Sequence, residues 1–547
     1  MEKRLLVAIV LSFLVLLLYQ ILFVKKKPLP EALPEPAREE RIVKKETALP
    51  PPETLAKPPL RQEEKEILPT SEELERQIRI ETSLYEAVWS NRGGVLKSWK
   101  LKEHQDEEKN DLELVSQLSS ETDAFPFSLW TDDPSFDTVI NTSLYESSVS
   151  RLELREGRTG EVRFEYADEQ GNIVEKTFIF QDGQYDFDTK VKLIKNRQEI
   201  EPRLVWGPSF SNPSITEQKQ RFGVRTGIAV KIADKVYRND ESKFKPELRE
   251  FSYAEWAAYE NNYFTALFFI LPQKHNVEYL REGEEPTPRY FLSVNSPQKI
   301  YLGPKEMERL TALGFEAKKL IKFGLFGFIA EILLKGMKFI HKAIPNWGVA
   351  IIIMTLIVKI IFFPLTYSST RSMARMGELQ PKIKALRAKY KKAKQDIAQR
   401  RKMNEEMMRL YKEHGINPAG GCLPMLIQLP VFWGFFRLLM IAIEFRHSPF
   451  VFWIKDLSVK DPYYVTPILM GVTQYISQKM TPTSADPTQA RMMLIMPVIM
   501  TILFMNFQSG LVLYWLTSNV LQIGQQAIMN RISKKKKREA HGKRRKK

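Results

Sequence analysis

At 547 residues and 63.7 kDa, the chain is too long for one compact domain, and two or three regions are expected. A mean hydropathy of −0.29 hides a division, because residues 25–320 are mostly polar and residues 345–530 mostly apolar. A lone cysteine, Cys422, excludes an intrachain disulfide, the six histidines have no metal-ligand spacing, and the net charge of +17 is gathered into two blocks.

Residues 5–24 are an apolar run after Glu2-Lys3-Arg4. Only Leu22-Phe23-Val24 and three lysines follow it, with no small-x-small cleavage site, so residues 1–24 are expected to be an uncleaved signal anchor. Residues 25–75 are rich in Pro, Glu and Lys and too poor in apolar residues to pack, which predicts an extended linker. Residues 76–320 read as β-structure. Period-two alternation runs through 79–89 and meets a turn at Gly93-Gly94; 162–166 and 173–180 form a hairpin across 168–172, and 185–194 follows. Many strands with little helix predict a twisted sandwich. The region carries no nucleophile elbow, phosphate loop, metal cluster or carboxylate pair placed as acid and base, so it reads as a binding or scaffolding domain.

In residues 321–343, Glu331, Lys335, Lys338 and Lys342 recur at spacings of four, three and four among Phe, Ile, Leu and Met, which predicts an amphipathic helix suited to a membrane interface. Five apolar spans are expected after it, at 347–367, 422–443, 463–480, 490–507 and 510–529; with the first anchor they make six. Cys422 opens one of them. Between the first two of the five, residues 370–416 predict an antiparallel helical hairpin. Met376, Leu379, Ile383, Leu386 and Tyr390 repeat at three and four. The second arm, Asp396 to His414, turns Ile397, Met403, Met407 and Leu410 inward and stops at Gly415. Residues 530–547 are a basic tail.

Charge sets the expected topology. Residues 371–412 hold 14 Lys/Arg and residues 531–547 hold 11, so both are expected in the cytoplasm, with four spans between them. The N-terminus is then inside, and the β-region lies across the membrane in the periplasm. Basic blocks also attract anionic lipid headgroups or RNA.

Lys359 is the one charged residue of residues 347–367. A charge there costs about 2.5–3.5 kcal/mol on insertion scales, and at eight residues from Tyr367 it sits roughly 12 Å in, deep for a snorkelling lysine. Thr355, Lys359 and Thr366 fall within about 40° of one another on a helical wheel and form one polar stripe. Later spans add Gln428, Gln474, Gln478, Ser518 and Gln522, with Thr473, Thr501, Thr517, Asn519 and Gln526, gathered towards the cytoplasmic halves. Interhelical hydrogen bonds of about 0.6 kcal/mol each account for many of these. Their shared depth with an unpaired lysine points to a hydrophilic groove open to the cytoplasm and to lipid. Arg437 and Glu444, seven apart, read as a snorkelling pair near the outer end of their span.

Several stretches together resemble the Oxa/YidC/Alb family of membrane protein insertases. They are Met354 to Ile383 (MTLIVKIIFFPLTYSSTRSMARMGELQPKI), Asn417 to Pro430 (NPAGGCLPMLIQLP), Trp453 to Ser458 (WIKDLS), Asp461 to Tyr464, Pro467 to Gly471, and Ser509 to Trp515 (SGLVLYW). The remaining architecture is similar to the Gram-negative form of the family. The resemblance implies six transmembrane helices, five of them forming an insertase core, with a periplasmic all-β supersandwich and a cytoplasmic helical hairpin. It implies an inner-membrane protein that uses no cofactor or nucleotide and is not an enzyme. It inserts nascent membrane proteins alone or beside the Sec translocon and receives them from ribosomes; the basic tail would contact ribosome or anionic lipid, and DNA is not a partner. The family places a basic residue, usually Arg, where Lys359 stands. Lys keeps the charge and loses the bidentate fork. The aromatic pair of the last span is Tyr514-Trp515, expected where the substrate leaves for lipid. A secondary transporter or channel would instead require inverted repeats and a counter-charge, and an envelope scaffold would put the function in residues 76–320.

Overall fold

The computed structural model describes residues 72–211, 226–241, 248–283, 288–390, 396–415, 423–480 and 487–545. The expected anchor, the linker up to residue 71, and Cys422 lie outside the described residues.

Residues 77–304 form three sheets, of five, ten and five strands. Alternation drives the first: in Gln77–Glu81, Ile78 and Ile80 are buried while Gln77 and Arg79 face out. In the ten-stranded sheet the strand Phe264–Phe269 (FTALFF) is buried at every position, as expected of a strand covered on both faces. The hairpin of Thr159–Ala167 and Ile173–Gln181 pairs from Thr159 opposite Gln181 to Ala167 opposite Ile173. Asp168 makes its turn, accepting the backbone N–H groups of Gln170 and Asn172 at 2.9 Å each. One aromatic cluster joins the three sheets. Trp89 from the first lies 4.4 Å from Phe178 of the second, Phe127 stacks on Trp89 at 5.1 Å, and Trp206 of the third meets Phe127 edge-on at 5.9 Å.

The domain is β-rich rather than all-β. Short helices occupy Gln117–Thr122, Pro134–Thr142 and Met307–Ala312. The first two start at local caps the alternation argument overlooks: Ser116 accepts from the Leu118 N–H, and Asp133 accepts from Ser135 and Phe136 ahead of a proline in the first turn.

Two buried charged groups fix this domain internally. Lys176 donates to the carbonyls of Gly93 at 2.6 Å and Phe127 at 2.8 Å, bolting one sheet to the loops of another. Glu260 accepts from Arg238 at 2.9 Å and Lys305 at 3.0 Å; Glu260 and Lys305 are buried and Arg238 partly so. Arg238 continues the chain of contacts by donating to the carbonyls of Lys319 and Leu320.

Among the described residues eight α-helices follow: α1 (Gly327–Ala343), α2 (Trp347–Glu378), α3 (Gln380–Lys389), α4 (Ile397–Glu413), α5 (Leu423–Ile441), α6 (Val465–Met480), α7 (Pro487–Phe504) and α8 (Ser509–Arg545). Among the described residues, α2 is long and apolar enough to cross a membrane, with shorter apolar stretches at Gln428–Ile441 and Leu494–Phe504. At roughly 1.5 Å per residue, the 32 residues of α2 reach about 48 Å. The helix runs well past residue 367, because nothing between Ser368 and Glu378 breaks it. In the same way α8 carries helical backbone to Arg545, where a separate tail was expected.

The pairs Lys389–Glu406 and Lys382–His414 make α3 and α4 antiparallel. Leu379 and Ile383 are buried against Met376, Met407, Leu410 and Tyr411. Leu386 and Tyr390 are only partly covered, and the Tyr390 hydroxyl donates to Glu406 at 2.8 Å. Ile397, expected inward, is exposed in the first turn of α4, where α3 does not reach it.

Burial without a countercharge holds the Lys176 ammonium well below the usual lysine range, at about 7. Between about pH 7 and the unfolded value near 10.5, the unfolded chain binds more protons than the folded one, so stability should rise with pH across that window. Below pH 7 the penalty is fully present in the folded state. Thermal unfolding of the full-length protein in detergent, followed through the buried tryptophans, should show this rise. Lys176→Met should remove the slope, and above about pH 10.5, where the amine is neutral in both states, it should be the less stable protein, since it strands the carbonyls of Gly93 and Phe127.

Candidate polar groove of the helical region

The helical region is built around one face of α8. Trp515, Ser518, Asn519, Gln522, Gln525 and Gln526 span an arc of about 120° on that helix, and each neighbouring helix meets part of it. Towards α6, Trp515 Nε1 donates to Gln474 Oε1 at 2.8 Å, and Asn519 Nδ2 donates to the Met470 carbonyl at 3.1 Å. Towards α5, Gln428 Nε2 reaches Ser518 Oγ at 3.4 Å. Towards α2, Lys359 Nζ donates to Gln522 Oε1 at 3.3 Å, and Gln525 Nε2 donates to Thr366 Oγ1 at 2.9 Å.

The stripe on α2 divides its work. Thr355 is buried and donates back to the Ile351 carbonyl at 2.6 Å, so its hydroxyl is used within the helix. Thr366 likewise bonds the carbonyls of Phe362 and Phe363 while accepting from Gln525. Lys359, half-buried, is left as the group with something to offer. Among the described residues no carboxylate pairs with it, and its partner is a neutral amide. Gln478 is expected in the lining; its Oε1 is buried with no hydrogen-bond partner among the described residues.

Gln525 was missed by the sequence reading. Its signal was present, since it stands three residues after Gln522 and so on the same face.

Tyr514 is a correction. It was expected at the exit to lipid, yet it is 3% exposed and stacked on Phe435 at 4.2 Å. Its ring is part of the contact between α8 and α5. Trp515, one position on, is only partly covered and lies edge-on to Phe432 and Phe504 at 4.9 and 5.0 Å.

Arg437 and Glu444 are a second correction. Helix α5 ends at Ile441, and Glu444 lies in a short 3-10 turn, Ile443–Phe445, so the seven-residue spacing does not put the two on one face. Glu444 pairs with Lys338 of α1 at 2.9 Å, and Arg437 donates to the Lys322 carbonyl at 2.6 Å. Arg437 therefore ties α5 to the segment leading into α1, and Glu444 ties the turn after α5 to α1 itself. Gly434 lets the two backbones approach, because a Cβ there would press on Ile329 at 2.8 Å.

Around this polar interior the outward faces are apolar. On α2, Leu356, Ile357, Ile360, Ile361 and Phe363 are exposed, with Ile357, Ile360 and Ile361 at least about 100° around the helix from Lys359. Ile468, Leu469, Val472 and Ile476 on α6 continue the surface, as do Ile495, Val498, Ile499 and Ile502 on α7. Water does not tolerate so broad a contiguous apolar surface on a stable monomer, and lipid does.

A β-rich domain tied to a helical bundle whose outer faces are apolar defines a membrane protein. Sequence comparison makes the class specific. Residues 77–335 match the family described as YidC periplasmic domain, and residues 339–537 match the 60Kd inner membrane protein family. The membrane protein insertase YidC of Syntrophus aciditrophicus is 37% identical, over 97% of this chain and 100% of that protein. That of Geotalea uraniireducens is 36% identical, over 97% and 99%. A solved active YidC insertase with its first transmembrane domain resolved aligns at 22% identity over 83% of this chain and 92% of that one, with a TM-score of 0.36. The chain belongs to the YidC family of inner-membrane protein insertases.

Because the Tyr514 ring packs while its position offers no surface, Tyr514→Ala should destabilise the bundle by about 3–5 kcal/mol. Tyr514→Phe should cost at most about 1 kcal/mol. Denaturation midpoints of the two variants in detergent check this.

Proposed function

We propose that Lys359, with the polar face of α8, is the point in the membrane where the polar part of a substrate chain is received. The observation that carries the reading is a half-buried ammonium with one neutral partner, Gln522, set inside a bundle whose outer faces suit lipid. A translocating segment carrying acidic residues is drawn to the charge by Coulomb attraction, which is stronger in this low-dielectric setting than in water. The polar side chains of α8, with Gln428, Gln474 and Thr366, shorten the apolar path it must cross. The apolar span of the substrate then passes into lipid along the exposed side of α2, beside Trp515.

In the same reading the chain has six spans, five of them the core, and both termini lie in the cytoplasm. The β-rich domain faces the periplasm, and the α3–α4 hairpin lies in the cytoplasm. The two basic blocks support this orientation. The substrates are nascent membrane proteins, with or without the Sec translocon, and the basic residues of 530–547 contact ribosome or anionic lipid. The names of the relatives, membrane protein insertases, support the activity.

Lys359→Ala, expressed at the normal level, should impair Sec-independent insertion of a small phage-coat-like protein, whereas Lys359→Arg should retain it. Protease protection of the substrate in cells depleted of the native insertase measures both. Normal insertion by Lys359→Ala would sink the charge-attraction step.

A further inference from the structure

The connection between α5 and α6 carries a rigid, outward-pointing aromatic tip. The Phe450 N–H donates to the Ile454 carbonyl at 3.0 Å and the Ile454 N–H to the Val451 carbonyl at 3.2 Å, closing a tight loop over five residues. Ile454 and Leu457 turn into the core, which leaves Val451 and Phe452 pointing away. Phe452 is 76% exposed, and its backbone is held at φ +55°, a region a bulky residue rarely adopts unless its surroundings impose it. Its ring stacks on Trp453, with centroids 6.0 Å apart.

Asp461 imposes that geometry. This buried carboxylate accepts from Trp453 Nε1 at 3.0 Å, from the Tyr463 N–H at 3.0 Å, and from the N–H and hydroxyl of Thr466 at 2.8 and 2.7 Å. Two of these bonds cap α6 through Thr466, and the one from Trp453 clamps the tip. Tyr463, beside it, is 68% exposed.

The location of the tip decides its partner. Asn346, which caps α2, donates to the Phe450 carbonyl at 2.9 Å, and the Phe450 ring packs on the bare backbone of Gly348. The tip therefore stands at the end of the bundle where α1 finishes and α2 begins. At that end Phe339 of α1 is 78% exposed and Ile344 is also exposed, continuing the apolar surface of the helices. Lys455 and Lys460 flank the tip and are exposed, in the place of residues that meet lipid phosphates. Aromatic rings bordered by lysines at the end of a helical bundle match the interfacial zone of a bilayer.

We infer that Val451, Phe452 and Trp453 dip into the headgroup–acyl boundary of the leaflet on the β-domain's side, as a fixed wedge beside the start of α2. The inference rests on the membrane location of the family and not on the role of Lys359.

The test uses spin labels on the full-length protein in phosphatidylethanolamine–phosphatidylglycerol vesicles. Cys422→Ser supplies a cysteine-free background, and Phe452→Cys places the label. A label at Phe339→Cys serves as the interfacial reference and one at Glu169→Cys, in a hairpin turn, as the aqueous reference. Collision with oxygen relative to a water-soluble nickel chelate should be clearly higher at position 452 than at 169, and close to that at 339. A ratio at 452 equal to that at 169 overturns the inference. So does a label shielded from both reagents, which would indicate a protein contact. Val451→Cys gives the same reading should Phe452→Cys fail to fold.

Discussion

The helical region is organised by the need to keep one ammonium ion inside an apolar bundle. A lysine at this depth costs about 2.5–3.5 kcal/mol, and the single amide of Gln522 at 3.3 Å returns only a part of that. Interhelical hydrogen bonds in membranes average about 0.6 kcal/mol, so this one bond leaves most of the cost of the charge uncompensated. The remaining solution is partial exposure, and Lys359 is indeed half-buried rather than sealed. The arrangement follows from that balance. Helix α8 supplies an amide, hydroxyl or indole to every helix that touches its polar face, and the apolar residues of α2, α6 and α7 are left on the outside.

A second constraint lies where the β-rich domain joins the helices. The buried Glu260 holds the buried Lys305 and the partly buried Arg238. Such a group contributes little net stability over apolar packing, yet removing one member leaves an uncompensated charge. Its value here is positional. Arg238 reaches on to the carbonyls of Lys319 and Leu320, Arg437 takes the carbonyl of Lys322, and Lys338 pairs with Glu444. Asn262, from the turn after Glu260, donates to the Met440 carbonyl at the end of α5. The segment leading into α1 is thus gripped by the β-domain on one side and by α5 on the other. Motion of the domain would be passed directly to the helix that lies beside the start of α2.

Much of this was legible from the chain because it depends on short periods. Alternation marked the strands, the 100° step put Thr355, Lys359 and Thr366 on one side, and the run of glutamines on α8 exposed its polar face. What escaped depends on where elements end and what meets across long separations. Arg437 and Glu444 look like a pair only if α5 continues, and it stops at Ile441. Tyr514 and Trp515 are adjacent in sequence but 100° apart around α8, so one ring is core while its neighbour is partly open. The length of α2 was underestimated because hydropathy falls after Tyr367 while helix propensity does not. The docking of Asn262 on Met440, across 178 residues, has no local signature at all.

The choice of lysine over arginine at position 359 fits this geometry. An ammonium has three donors on a flexible stem and acts as a compact point charge. One donor is directed at Gln522, and among the described residues no carboxylate pairs with the ammonium. Arginine would present a planar fork whose five donors demand more partners than the amide of Gln522 and the already committed hydroxyls of Thr355 and Thr366 supply. In so sparsely furnished a site, the smaller cation keeps the charge and leaves fewer donors unsatisfied.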